Sequence, residues 1–250
     1  MVYVISKIEE EKIMAEKFTK EGLKILAIKL DQALWEFVYA ATWLGDLEGP
    51  AGALAANQMR LDLAEKYGSK KEVADIQNAL ASTYYTIATA KKAKREKEEA
   101  GRQFAKALEF SDKSMKLIGG FLKMSPGALA VRGSILYQLG YHEPSAQCFQ
   151  EALKHRGFGW DARAVLEKDL ARTLTALGQK DAAERHFKKA LRLVGNAKDK
   201  TAVRVFKEYA IFLAGQGKKK EAEKYLSRAR KIAQELGLGH QELTINAIKT

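Results

Sequence analysis

The chain has 250 residues, 46% hydrophobic and 30% charged, with only three prolines and a formal net charge of +12. Such proportions suit a soluble folded chain, the lone Cys148 excludes an intrachain disulfide, and the most apolar stretch, Leu34 to Leu44, contains Glu36 and reaches about half the length of a bilayer span. The charge is uneven: residues 1–70 carry 9 Lys/Arg against 11 Asp/Glu, and residues 71–250 carry 34 against 20, so the basic portion is suited to acidic peptides, nucleic acid or anionic lipid.

Residues 1–30 read as an N-terminal extension and capping helix. Their charged start (Lys7, Glu9, Glu10, Glu11) lacks the apolar run of a signal peptide, so a cytoplasmic chain without membrane insertion is expected. Met14 opens an alternative start, "MAEKFTKEG", which would make residues 1–13 an extension. From 31 to 68, Phe37, Ala41, Leu44, Gly45 and Asp46 fit a helix and its turn. A short insertion with Gly49 and Pro50 follows, and "LDLAEKYG" closes a second helix. Ser69 with Glu72 three residues on is a capping-box signature. It opens a unit over 71–118 in which Leu80, Ala81, Tyr84, Tyr85 and Ala88 mark one helix and Ala100, Phe104, Ala107 and Leu108 its partner. The seven residues between them, "KKAKREK" (91–97), are read as two further helical turns.

Ser125–Pro126 is an N-cap followed by proline at the first helical position, and it begins a unit over 126–156. There Gly133, Leu136, Leu139 and Gly140 precede Ser145, Phe149, Ala152 and Leu153. In the unit over 162–195, Leu166, Leu170, Leu174 and Leu177 form one stripe ending at Gly178, and Ala183, Phe187, Ala190 and Leu191 form the next. The unit over 200–237 repeats the pattern with Tyr209, Ala210, Leu213, Gly217, Ala222, Leu226 and Ala229, and residues 238–250 read as a C-terminal cap. The turn glycines 140, 178 and 217 stand 38 and 39 residues apart. Alanine where helices cross lets the backbones approach, and the aromatic fills the space beside the crossing.

This succession of leucine stripe, glycine turn, alanine, aromatic and alanine resembles the tetratricopeptide repeat. The spacing exceeds that repeat's usual length of about 34 residues, and the endings "LDLAEKYG" and "ARKIAQELG" are similar to its longer variants. The resemblance covers roughly residues 31–237. It implies an all-α fold, a right-handed superhelical solenoid of about five antiparallel helix pairs, serving as a protein–protein interaction scaffold.

Chemistry-bearing motifs are missing. "GQGKKKE" (215–221) lacks the spacing of a phosphate-binding loop, and "GFGW" (157–160) lacks the later glycine of a dinucleotide fingerprint. His142, His155, His186 and His240 include no pair three or four residues apart, so neither a metal nor another cofactor is expected. Cys148 beside Phe149 reads as a buried thiol, and no enzyme activity is expected.

The resemblance further implies that the first helix of each pair lines a concave groove. Off-stripe positions there are Asp75, Asn78, Ser82 and Tyr85; Ala130, Ser134 and Tyr137; Val165, Lys168, Arg172 and Thr175; and Arg204, Lys207 and Ile211. Asn78, Tyr85, Tyr137, Lys168, Arg172, Arg204 and Lys207 are therefore the candidate partner-binding residues, for an acidic peptide or protein segment. Family members that clamp acidic chaperone C-termini use lysine, arginine and asparagine on such faces, but no full set of five falls into register here. Three alternatives stay open: the cations are paired with Asp169 or Glu208 on their own helices; the basic surface of 71–250 binds nucleic acid without sequence preference; or the chain, monomer or homodimer, self-assembles through Trp35 and Trp43.

Overall fold

The computed structural model describes residues 20–44, 46–49 and 52–238. Gly45, Pro50 and most of both expected caps (residues 1–19 and 239–250, including His240) lie outside them, as does the Trp43 side chain. All regular structure among the described residues is helical, and no helix there is long and apolar enough to cross a membrane. The chain divides into two units, Met1–Met124 and Ser125–Thr250.

In the first unit, α1 (Lys20–Leu44) runs unbroken through the expected junction at residue 30 and pairs with α2 (Ala53–Tyr67), while α3 (Lys70–Ala93) pairs with α4 (Lys97–Leu117); a 3-10 turn follows at Phe121–Lys123. Leu34, Val38 and Ala41 of α1 bury against Ala53 and Ala56 of α2, where the methyl side chains permit close approach. Leu61 and Ala64 of α2 meet Ile76 and Leu80 of α3. The capping box is formed: the Glu72 amide donates to Ser69 Oγ at 3.2 Å, and the Ser69 amide to Glu72 Oε2 at 2.6 Å. A polar chain ties three helices together. Arg60 on α2 donates from Nε and Nη2 to the two Asp31 carboxylate oxygens on α1 at 2.7 and 3.3 Å, and from Nη1 to Asn57 Oδ1 at 3.2 Å. Asn57 Nδ2 in turn donates to Thr83 Oγ1 of α3 at 3.1 Å.

The "KKAKREK" segment is not two continuous helical turns. The first helix ends at Ala93 and the second starts at Lys97, with Arg95 between them at φ 67°. That left-handed conformation costs about 1–2 kcal/mol for a residue with a Cβ, and it does here what glycine does in the second unit. Lys91, at the end of α3, pairs with Glu48 at 3.2 Å and Glu96 at 3.7 Å.

In the second unit the pairs are α5 (Pro126–Gln138) with α6 (His142–Lys154), α7 (Trp160–Ala176) with α8 (Lys180–Val194), and α9 (Lys200–Gly215) with α10 (Lys219–Glu235). Successive first helices are neighbours, α5 beside α7 and α7 beside α9. The three turns share one construction. Gly140, Gly178 and Gly217 sit at φ 85°, 75° and 76°. The next amide then reaches back to a carbonyl in the last helical turn: Tyr141 to Leu136 and Gln179 to Leu174 at 2.9 Å, Lys218 to Leu213 at 3.0 Å. Gly133 has a different reason. A Cβ there would lie 2.9 Å from the Phe149 ring, so the missing side chain is the seat into which Phe149 packs. Beside it the Ser145 hydroxyl donates to the Gly133 carbonyl at 2.7 Å.

Cys148 shares that core, and burial pushes its thiol up to about 11 from an ordinary 9.0, against the opposing pull of Arg132. The unfolded chain ionises its cysteine first, so stability present below pH 9 drains away as pH rises towards 11. Urea titrations should show the wild type losing about 2 kcal/mol more than Cys148→Ala over that range; parallel losses would disprove the burial argument.

Candidate functional site

Five of the seven candidate residues fall on the first helices of the second unit: Tyr137 on α5, Lys168 and Arg172 on α7, Arg204 and Lys207 on α9. Three of them are brought together around one acid. Asp169 Oδ1 accepts from Lys168 Nζ at 2.9 Å and from Arg172 Nη2 at 3.3 Å, and the Arg172 guanidinium lies over the Tyr137 ring, 4.1 Å from its centroid. Lys168 is only 8% exposed, so it is a buried, paired cation rather than an open groove charge. The Tyr137 hydroxyl is held above its usual range mainly by burial; Arg172 opposes the shift, and Glu208 of α9 and Asp169 reinforce it. The ring thus sits among charges from two neighbouring helices. Pairing with Asp169, the reading set against an open groove, holds for Lys168 and Arg172.

Arg204 and Lys207 differ. Arg204 is exposed and Lys207 half-buried, and neither has an ion-pair partner among the described residues. Ile211, one helical turn further along α9 on the same side, is 46% exposed. The α9 face is therefore a cationic strip with an apolar end.

Asn78 and Tyr85 are on α3, in the first unit. Tyr85 packs on Phe104, ring centroids 5.7 Å apart, and the Asn78 carboxamide oxygen is buried without a hydrogen-bond partner among the described residues. The first unit also holds a cleft of about 510 Å³ lined in part by Ile28, Asp31, Lys66, Tyr67, Ser69 and Glu72. Its polar groups are engaged internally: Asp31 by Arg60, Ser69 and Glu72 by each other, Lys66 over the Tyr67 ring at 5.1 Å.

One hydrogen bond between helices has no signature in the sequence. Glu167 of α7 is buried and bonds His186 Nδ1 of α8 at 2.6 Å. The two belong to different helices, and only the register of the pair brings them together. No group of three or more His, Cys, Asp or Glu capable of holding a metal exists among the described residues.

Two segments match models of the tetratricopeptide repeat, residues 126–154 and 169–194. No curated protein matches the sequence. Among solved structures the chain is similar to the apo form of RapI (TM-score 0.61, 13% identity, 82% of this chain and 72% of that one). It is also similar to a Podosopora anserina putative kinesin light chain with nearly identical TPR-like repeats (TM-score 0.56, 13% identity, 88% and 96%) and to Pseudomonas aeruginosa pilF (TM-score 0.53, 18% identity, 88% and 90%). At these identities the likeness is one of fold, an all-helical architecture of tetratricopeptide-like pairs.

Proposed function

We propose that this tetratricopeptide-repeat protein is a non-catalytic scaffold that takes up an acidic, partly apolar segment of a protein partner along α5, α7 and α9. The observation that carries the reading is the α9 strip: Arg204 and Lys207 without ion-pair partners among the described residues, beside exposed Ile211. Together α5, α7 and α9 carry seven Lys/Arg (Arg132, Arg163, Lys168, Arg172, Lys200, Arg204, Lys207) against four Asp/Glu (Asp161, Glu167, Asp169, Glu208), so an incoming anion meets a positive balance. The Arg172 guanidinium lying over the Tyr137 ring adds a flat cationic surface beside the α9 strip.

The test is fluorescence anisotropy with a labelled Glu/Leu peptide. Arg204→Glu combined with Lys207→Glu should weaken binding about tenfold, equivalent to about 1.4 kcal/mol, with the melting temperature nearly unchanged because neither charge is paired among the described residues. Unchanged affinity would refute the assignment. The basic run at 91–97 gives less support to nucleic-acid binding, because Lys91 is already held by Glu48 and Glu96; retention of single-stranded DNA but not peptide at low salt would reverse that preference.

A further inference from the structure

The first unit carries an apolar surface that the groove reading does not use. On α1, Ile25, Ile28, Trp35 and Tyr39 recur at spacings of three, seven and four residues, so they form one stripe. It lies beside, and not on, the face of Leu34, Val38 and Ala41 that packs into α2; Ile28 also borders the cleft described above and Trp35 lies against Arg60 of α2. Its members are well exposed, Ile28 at 61% and Trp35 at 51%. Isolated exposed apolar residues need no explanation, but four large ones aligned on one side of a helix point to an interaction surface.

Two further observations bear on which partner would fit it. First, the stripe is self-complementary in charge. Lys29 and Glu36, both exposed and without an ion-pair partner among the described residues, lie along one edge of it. A two-fold axis near Gln32 that pairs two α1 helices antiparallel sets Ile25 against Tyr39 and Ile28 close to Trp35. It also sets Lys29 of each copy beside Glu36 of the other. Second, Trp35 is already ordered. The Arg60 guanidinium lies 5.0 Å from its ring centroid, and Arg60 is fixed by Asp31 and Asn57. A pre-ordered tryptophan loses little freedom on docking and is a typical anchor of an interface. The charge distribution agrees, because residues 1–70 are the near-neutral part of the chain.

We infer that α1 is a homodimerisation surface, packing antiparallel on α1 of a second copy, with Trp35 and Ile28 at the centre and reciprocal Lys29–Glu36 pairs at the edge. A two-helix contact of this length is at the small end of specific interfaces. Sedimentation equilibrium of the full chain should therefore extend to on the order of 100 μM. Lys29→Glu alone and Glu36→Lys alone should each weaken self-association about tenfold, since each places like charges together twice per dimer. Mixing the two variants should restore association, because the heterodimer sets the paired glutamates of one chain against the paired lysines of the other. A wild type that stays monomeric throughout, as it would if another part of the chain covered the stripe, overturns the inference. So does a dimer indifferent to both variants. Trp35→Ala, which keeps every charge, should also shift the equilibrium to monomer without lowering helicity.

Discussion

Phe187→Ala lowers the stability of the second unit by about 3–5 kcal/mol, which is a large share of the margin of an ordinary domain. The ring is 1% exposed and lies 5.1 Å from Phe212 and 5.5 Å from Tyr209, centroid to centroid. Two features prevent the neighbours from closing the gap. Ala183 and Ala190, flanking Phe187 on α8, are fully buried and have no side chain to swing inward. Tyr209 is also engaged by Tyr225 in an edge-on contact at 4.9 Å, so it cannot follow the lost ring without leaving another partner. Burial of that tyrosine is what pushes its hydroxyl up to about 12, with Glu184 adding to the shift. Hydrogen exchange followed by mass spectrometry gives the local readout: peptides from 160–235 should lose protection, and Phe187→Leu, which keeps most of the volume, should lose much less. Equal protection in Phe187→Ala and wild type would mean that the ring does not hold the pairs together.

The second unit is legible in the residue types because each pair repeats the same physical solution. Apolar stripes end at Gly140, Gly178 and Gly217, the left-handed positions. Phe149, Phe187 and Leu226 then fill equivalent places among buried alanines. What sequence does not reveal has no such signature. Arg95 occupies the corresponding turn of the first unit with a residue whose type gives no hint of a positive φ. α1 continues through residue 30, where no residue breaks a helix, so nothing in the residue types marks a boundary there. For the candidate site, periodicity correctly puts Tyr137, Lys168, Arg172, Arg204 and Lys207 on first helices, because helical spacing fixes the direction of a Cβ. It does not fix where a long side chain ends. Lys168 ends on its own chain neighbour Asp169 and is buried there, so of the two readings open in the sequence, groove cation or paired cation, the pairing holds for it.

That acid provides the sharpest joint test of fold and function. Asp169→Asn should lower stability by about 3 kcal/mol and at the same time strengthen binding of the Glu/Leu peptide. The stability loss follows from burial: the Lys168 and Asp169 side chains are each 10% exposed, and removing one partner of a buried pair leaves the other charge uncompensated where water cannot screen it. A second variant separates that cause from mere loss of shape. Lys168→Met with Asp169→Asn removes both charges and should recover most of the stability, since an apolar replacement of a buried pair is close to neutral. The binding gain follows from the same balance of charge. Asp169 neutralises Lys168 and part of Arg172, so without it the face gains one positive charge. The gain should shrink as salt rises, because the added attraction acts across a partly exposed surface. If Asp169→Asn destabilises the chain but leaves peptide affinity untouched at low salt, the ion pair is purely structural and the binding face lies elsewhere. If affinity rises as stability falls, Asp169 is an internal competitor of the partner's acidic groups.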